Sequence, residues 1–317
     1  MDASDRCRIL LLAAVERGAR VLEALVDRQE LIAGVYVYPE DPSERARYSD
    51  DIIAIAARHG LTHRIARRID AQEEQHIVEA LEPDLLLAVG WRTIVPMTLV
   101  ERCRRGAFLV HDSLLPRMRG FAPTPWAIIN GERSTGVSLL EMAEEIDSGD
   151  LVGQIEVPIG PGEYVGDLYR RINQAAVEVV VRNLDALKAG TAQTFPQDES
   201  QATYCCSRTP ADGLIDWSQP TRRVFDFIRA QTDPLPDAFT WLRGERLYVT
   251  RAEPLENAPA YVGRIPGRIV AFERGGHADV LTGDGILRVW EVRRDIEEAR
   301  PVPAGDVANS VRLAFGR

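Results

Sequence analysis

The sequence predicts an α/β protein, a doubly wound, mostly parallel sheet followed by a small antiparallel barrel. Three observations carry this reading. Short apolar runs alternate with stretches of helical periodicity through residues 1–190. The alternation stops at a polar stretch, 191–206. Beyond it, short β segments are punctuated by glycine turns.

Taken in order, residues 8–13 read as a buried strand, and 15–27 as a helix with Val15, Ala19, Leu22, Leu25 and Val26 on one face. Residues 31–38, rich in β-branched and aromatic side chains, form a second strand. Residues 49–59 and 72–81 are helical, the latter stopped by Pro83. Residues 84–89 are a strongly apolar strand, 97–104 a helix and 107–111 a strand. Residues 123–130 open on a proline, which suits a first helical turn. Two strands, 137–142 and 152–158, precede a long helix at 167–187 carrying Leu168, Ile172, Ala176, Val180 and Leu184 on one face. After the polar stretch, 224–230 is helical, and 238–241, 246–252, 267–272, 278–281 and 286–292 are short strands. The expected division is an α/β domain at 1–190, a linker at 191–206 and a barrel domain at 207–317.

No run approaches 18 uninterrupted apolar residues, so no membrane span is expected. The acidic start, Met1-Asp2-Ala3-Ser4-Asp5, is unlike a secretory leader. The four cysteines have no metal spacing and read as reduced thiols of a cytoplasmic protein. A net charge of −10 repels nucleic acid at long range.

His111 closes an apolar strand, and open parallel sheets bind ligands at that carboxyl edge. The run His111-Asp112-Ser113-Leu114-Leu115-Pro116-Arg117-Met118-Arg119-Gly120 then turns the chain, and Gly120 permits close backbone approach. About thirty residues later, Glu145-Ile146-Asp147-Ser148-Gly149-Asp150 places a carboxylate in a small-residue loop after another strand. An imidazole and a carboxylate at one sheet edge suit chemistry on a carbonyl. The carboxylate fixes the ring's tautomer and orientation, or relays a proton. A single histidine at a strand end is more often structural; the two segments together shift the reading to function.

The His-x-Ser-Leu-Leu-Pro run with Arg119-Gly120, then Gly136-Val137 leading to Asp147-Ser148-Gly149-Asp150, resembles the core of the methionyl-tRNA formyltransferases and the amino-sugar N-formyltransferases. Ala202-Thr203-Tyr204, Asp212-Gly213-Leu214-Ile215-Asp216-Trp217, Ile228-Arg229-Ala230, Asp237-Ala238-Phe239-Thr240 and Gly283-Asp284-Gly285 resemble that family's C-terminal domain, so the likeness covers nearly the whole chain. It implies a Rossmann-like formyltransferase fold with an OB-like barrel. It also implies a one-carbon transferase that moves a formyl group from N10-formyltetrahydrofolate to an amine, with no metal. By position it gives His111 and Asp147 catalytic roles. It lays Val89, Gly90, Trp91, Arg92 and Ile94 along the folate pterin, with Met142, Glu144, Glu145 and Ile146 closing the other side. Ser113, Leu114, Pro116, Arg117, Arg119 and Gly120 then face the acceptor. Leu109 stands where the family carries an asparagine. A leucine cannot donate to a developing oxyanion, and loss of one such donor typically costs on the order of 10²–10³ in rate.

Members acting on initiator tRNA carry a basic loop after the second strand, whereas residues 39–48 are short and of mixed charge. Residues 207–317 hold sixteen arginines and sixteen acidic residues, while a tRNA-binding domain should be net positive. Gly120-Phe121-Ala122-Pro123 resembles the sugar enzymes, so the expected acceptor is a small amine, in the first place a nucleotide-linked amino sugar. Arg117 and Arg119 are candidates for its diphosphate, or else surface arginines. Neither tRNA nor membrane is expected as a partner, and a homodimer is compatible with the resemblance. Three alternatives stand beside this reading: a methionyl-tRNA formyltransferase, a formyltransferase of another small amine, and a homologue that binds folate or a sugar nucleotide without turnover. A nicotinamide dehydrogenase is disfavoured, because Ala13-Ala14-Val15-Glu16-Arg17-Gly18 lacks a G-x-G-x-x-G fingerprint.

Overall fold

The computed structural model describes residues 6–41, 44, 46–296 and 299–316. The acidic start and Pro42, Ser43 and Arg45 of the mixed-charge loop lie outside the described residues. The chain divides into two compact units, one of 1–123, 134–158 and 169–206, the other of 124–133, 159–168 and 207–317.

The first unit is built on strands β1 (Ile9–Ala13), β2 (Ile32–Val37), β3 (His63–Ile65), β4 (Leu85–Val89), β5 (Ala107–His111), β7 (Ser134–Glu141) and β8 (Leu151–Pro158). They lie in the order β3-β2-β1-β4-β5-β7-β8. Pairing is parallel from β3 to β5 and antiparallel from β5 through β7 to β8. The order reverses between β1 and β4, as in a doubly wound sheet. Every residue of β1 and β4 is buried, which is why both read as unbroken apolar runs.

Helices α1 (Val15–Asp27), α2 (Tyr48–Arg58), α3 (Gln72–Leu81), α4 (Met97–Val100) and most of α6 (Val165–Ala189) belong to this unit. Helix α1 buries Ala19, Val21, Leu22 and Leu25, and α6 buries the predicted stripe from Leu168 to Leu184. Helix α4 stops four residues short of the expected end: Cys103 N–H donates to Val100 O, and such tight i→i+3 turns replace the helical ladder. Strand β3 escapes periodicity because it is three residues long and polar. Its Arg64 grips Glu74 of α3, which also accepts from the Tyr36 hydroxyl.

Residues 191–206, expected as a linker, belong instead to the first unit. They run along it as a strap. Phe195 exchanges two backbone hydrogen bonds with Leu151, and β9 (Tyr204–Cys205) pairs with β6 (Arg119–Gly120). A segment whose bonds are made by backbone and polar side chains carries no apolar period, so it reads as a linker.

The second unit is an antiparallel half-barrel of β10 (Phe239–Leu242), β11 (Glu245–Pro254), β12 (Ile269–Phe272), β13 (Ala278–Leu281) and β14 (Ile286–Arg294). These lie in the order β10-β11-β14-β13-β12, with β15 (Val302–Pro303) on β14. Helix α7 (Thr221–Arg229) buries Val224, Phe225 and Ile228 in a core with Trp217, Leu247, Val249 and Leu287. Helices α5 (Pro123–Ile129) and α8 (Ala304–Val307) complete the described elements. Among the described residues no helix is long and apolar enough to cross a membrane.

Candidate active site

Strand β5 brings His111 to the carboxyl edge of the sheet, opposite Ser138 of β7. Ser138 fixes the turn that follows. Its hydroxyl donates to Ser113 O at 2.6 Å and accepts from Leu115 N–H at 3.2 Å. Gln154 of β8 donates both to that hydroxyl and to Leu115 O. The Ser113 hydroxyl is itself spent on Arg117 O at 2.7 Å. Leu114 lies against Gly136, where a Cβ would stand 2.5 Å from its methyl. Ser113 and Leu114, expected against the acceptor, therefore shape the turn.

The imidazole of His111 faces an acceptor on each side. Its Nε2 lies 2.8 Å from Met118 O and its Nδ1 3.4 Å from Asp147 Oδ2. The Asp147 oxygen also accepts from Gly120 N–H at 2.7 Å. A carbonyl can only accept, so Nε2 carries a proton. A ring protonated on both nitrogens satisfies both neighbours. Met118 and Asp147 adopt left-handed backbone, with φ of 61° and 53°. Asp tolerates that region, whereas for Met it is uncommon and marks a position held by its surroundings. Gly149 completes the Asp147 turn: a Cβ there would lie 1.9 Å from Glu141 O. Burial beside Asp150 pushes the Glu141 carboxyl up.

On the same face of β5 as His111 stands Leu109, two residues earlier. It pairs across the sheet with Ala88 and Leu140. With Trp91, Val95 and Met142 it lies partly buried against Leu12, Tyr36, Ala88 and Leu99. The two stretches expected along the pterin, 89–94 and 142–146, thus share one apolar cluster through Trp91 and Met142. Gly90, at φ 71°, is required by contact: a Cβ would meet Ala14 O at 2.7 Å. Trp91 stands edge-on to Tyr38, and its buried indole N–H has no partner among the described residues. Arg92 lies over the Tyr38 ring and pairs with Glu44 at 2.6 Å. Burial opposes ionisation of Glu44, but Arg92 holds its carboxyl below the ordinary value. Ile94 and Ile146 are 78 % and 51 % exposed, leaving apolar surface open on both loops; Glu144 and Glu145 are exposed as well.

One charged position turns away from its expected role. Arg119 has no exposed surface; its guanidinium is held by Glu199 at 2.6 Å and by Gln197 at 2.8 Å. It is an internal anchor, not a phosphate ligand, because its donors are already engaged in the interior. Asp112 pairs with Arg17 of α1 at 2.7 Å, its second oxygen buried and without a protein partner. Removal from water pushes the nearby Tyr169 phenol up, with Asp112 adding to the shift. Pro116 offers its carbonyl to Thr203 N–H, and Arg117 is exposed.

The site is built by more residues than the motif contains. Ser138, Gln154, Gln197 and Arg17 were not singled out by sequence, and Thr203 only as part of the Ala202-Thr203-Tyr204 run. A cavity of about 460 Å³ lies at the opposite, amino edge of the sheet, lined by Arg8, Asp84 and Arg104. Arg8 N–H and the Arg104 guanidinium both donate to the Asp84 carboxylate there.

Comparison with known proteins bears on this geometry. A family model described as formyl transferase matches residues 7–184, and one described as formyl transferase, C-terminal domain, matches residues 208–312. The chain belongs to the formyl transferase family. It is a one-carbon transferase by that membership, and the family's formyl donor is N10-formyltetrahydrofolate. It is 31 % identical to a methionyl-tRNA formyltransferase of Citrifermentans bemidjiense over 311 residues, 98 % of this chain and 95 % of that one. The corresponding enzyme of Geotalea uraniireducens is equally similar, at 31 % over 98 % of this chain and 96 % of its own. Among solved structures, HypX from Aquifex aeolicus in complex with tetrahydrofolic acid superposes with a TM-score of 0.66 at 23 % identity, over 95 % of this chain and 46 % of HypX. The chain thus spans about half of HypX. WlaRD, a sugar 3N-formyl transferase, also gives 0.66, at 15 % identity over 92 % of this formyltransferase and 98 % of WlaRD. At these identities the superpositions speak for the fold alone.

Proposed function

We propose that this formyltransferase carries a formyl group from N10-formyltetrahydrofolate to the amine of a small acceptor, a nucleotide-linked amino sugar in the first place, with His111 and Asp147 as the reacting pair. The observation that carries the site assignment is the imidazole held between Met118 O and Asp147 beside an apolar wall. The buried, unpartnered Trp91 indole N–H suits a flat ring with a polar edge, as the pterin is. The donor supplies the electrophilic formyl carbon. With Leu109 in the asparagine position, His111 is the polar side chain at the end of β5, its Nε2–H exchanging Met118 O for the formyl oxygen when the donor is bound. Its protonated ring stabilises negative charge on the carbonyl oxygen as the amine attacks. Asp147 balances the imidazolium and relays the proton released by the amine to N10 of the folate, which leaves as tetrahydrofolate when its bond to the formyl carbon breaks.

Charge supports a small acceptor. The sixteen arginines of residues 207–317 are matched by sixteen acidic residues, and the net −10 falls on the first half. The relatives favour a second reading, since full-length similarity at 31 % is to methionyl-tRNA formyltransferases. Release of tetrahydrofolate from N10-formyltetrahydrofolate, assayed with thymidine-diphosphate amino sugars and with initiator methionyl-tRNA, tests both readings. The proposal expects turnover with a sugar nucleotide and a loss of at least about 100-fold in His111→Ala. Turnover of the tRNA substrate alone sinks the acceptor, and a His111→Ala variant within threefold of wild type sinks the site.

A further inference from the structure

The strap at 195–205 is bonded to both loops of the candidate site. Thr203 receives Met118 N–H on its hydroxyl at 2.9 Å and Arg119 N–H on its carbonyl at 2.8 Å. Cys205 O receives Phe121 N–H at 3.1 Å. Gln197 reaches further and joins the two loops to each other. Its Oε1 accepts from Arg119 Nη2 at 2.8 Å and Nε at 3.2 Å. Its Nε2 donates to Asp147 O at 2.8 Å and to Gly149 O at 2.7 Å. Arg119 is in turn held by Glu199 at 2.6 Å and 2.9 Å and is wholly buried, so the amide rests on a rigid base.

We propose that Gln197 is a positioning residue for formyl transfer, holding the Asp147 turn so that its carboxylate stays beside the His111 ring. The polarity of the neighbours demands an amide. Arg119 offers only donors, whereas the two carbonyls offer only acceptors. A carboxylate satisfies the first set alone, and a methyl thioether neither. Gln197 touches neither imidazole nor carboxylate; it acts through the backbone of residues 147 and 149. The inference rests on His111 and Asp147 being the reacting pair.

The test is Gln197→Glu, with Gln197→Met as a neutral near-isostere should the first not fold. Gln197→Glu retains the Arg119 contacts, so Tm stays within about 2 °C, while kcat falls about 30- to 100-fold, as for a reacting group displaced by about 1 Å. KM for both substrates stays within about threefold. In the Asp147→Asn background the same change costs little more, since coupled residues are not additive. A Gln197→Glu enzyme with kcat within threefold of wild type, or losses that multiply with Asp147→Asn, overturns the proposal. An amide NMR readout separates this from failure of the site assignment. The Gly120 N–H signal, set by its bond to Asp147, shifts upfield in Gln197→Glu if the turn moves. An unchanged Gly120 signal overturns the positioning role even where His111→Ala abolishes turnover.

Discussion

At the scale of single residues, His111 owes its chemistry to what faces its two nitrogens. A carbonyl lies 2.8 Å from one and a carboxylate 3.4 Å from the other. Asp147→Asn removes the charge partner while keeping the shape. We expect kcat to fall at least about 100-fold, with Tm within a few degrees. Gly149→Ala is the steric counterpart. Its Cβ would stand 1.9 Å from Glu141 O, so the turn must shift, at a cost of about 1–3 kcal/mol visible as a lowered urea midpoint. The proximity of the two residues was legible in the sequence because His111 closes a strand and Asp147 lies in the small-residue loop after another. Arg119 was misread for a physical reason. A guanidinium next to Gly120 looks available, and nothing local reveals that Glu199, eighty residues away, occupies it.

Among the elements, the least legible ones are those held by polar bonds. Strand β3 has no apolar alternation, and the Arg64–Glu74–Tyr36 cluster fixes it at the sheet edge. The Arg64 hydrogen bond, helped by Tyr36, holds the Glu74 carboxyl below its ordinary value. The stabilisation is therefore present above about pH 4.3, the ordinary glutamate value, and is lost as pH falls through the lowered one. Glu74→Gln should lower Tm slightly at pH 7 and flatten its decline between about pH 5 and pH 3; an unaltered decline would contradict this role. The strap at 191–206 is the second case. Its contacts are to backbone and buried polar groups, so it read as a linker, while the buried strands β1, β4 and β5 announced themselves by composition.

At the scale of the whole molecule, alternation of strand and helix gave the doubly wound sheet, and glycine-punctuated short strands gave the second unit. The antiparallel turn at β7 was not legible, because a strand's direction depends on where the preceding connection lands. Leu109 is an apolar side chain on the His111 face, at the position where the sequence resemblance leads one to expect an asparagine. On the reading proposed above, the balanced charge of residues 207–317 predicts weak tRNA binding at physiological salt. The central claim is transfer of a formyl group to a small amine through His111 and Asp147. The most direct measurement is kcat/KM for N10-formyltetrahydrofolate consumption with a panel of sugar-nucleotide amines and with initiator methionyl-tRNA, on the wild type and on Asp147→Asn. The account predicts a formylated sugar nucleotide, lost at least about 100-fold in the variant, and no formylated tRNA. Formylation of the tRNA with no sugar-nucleotide product, or an Asp147→Asn enzyme as active as the wild type, would contradict it.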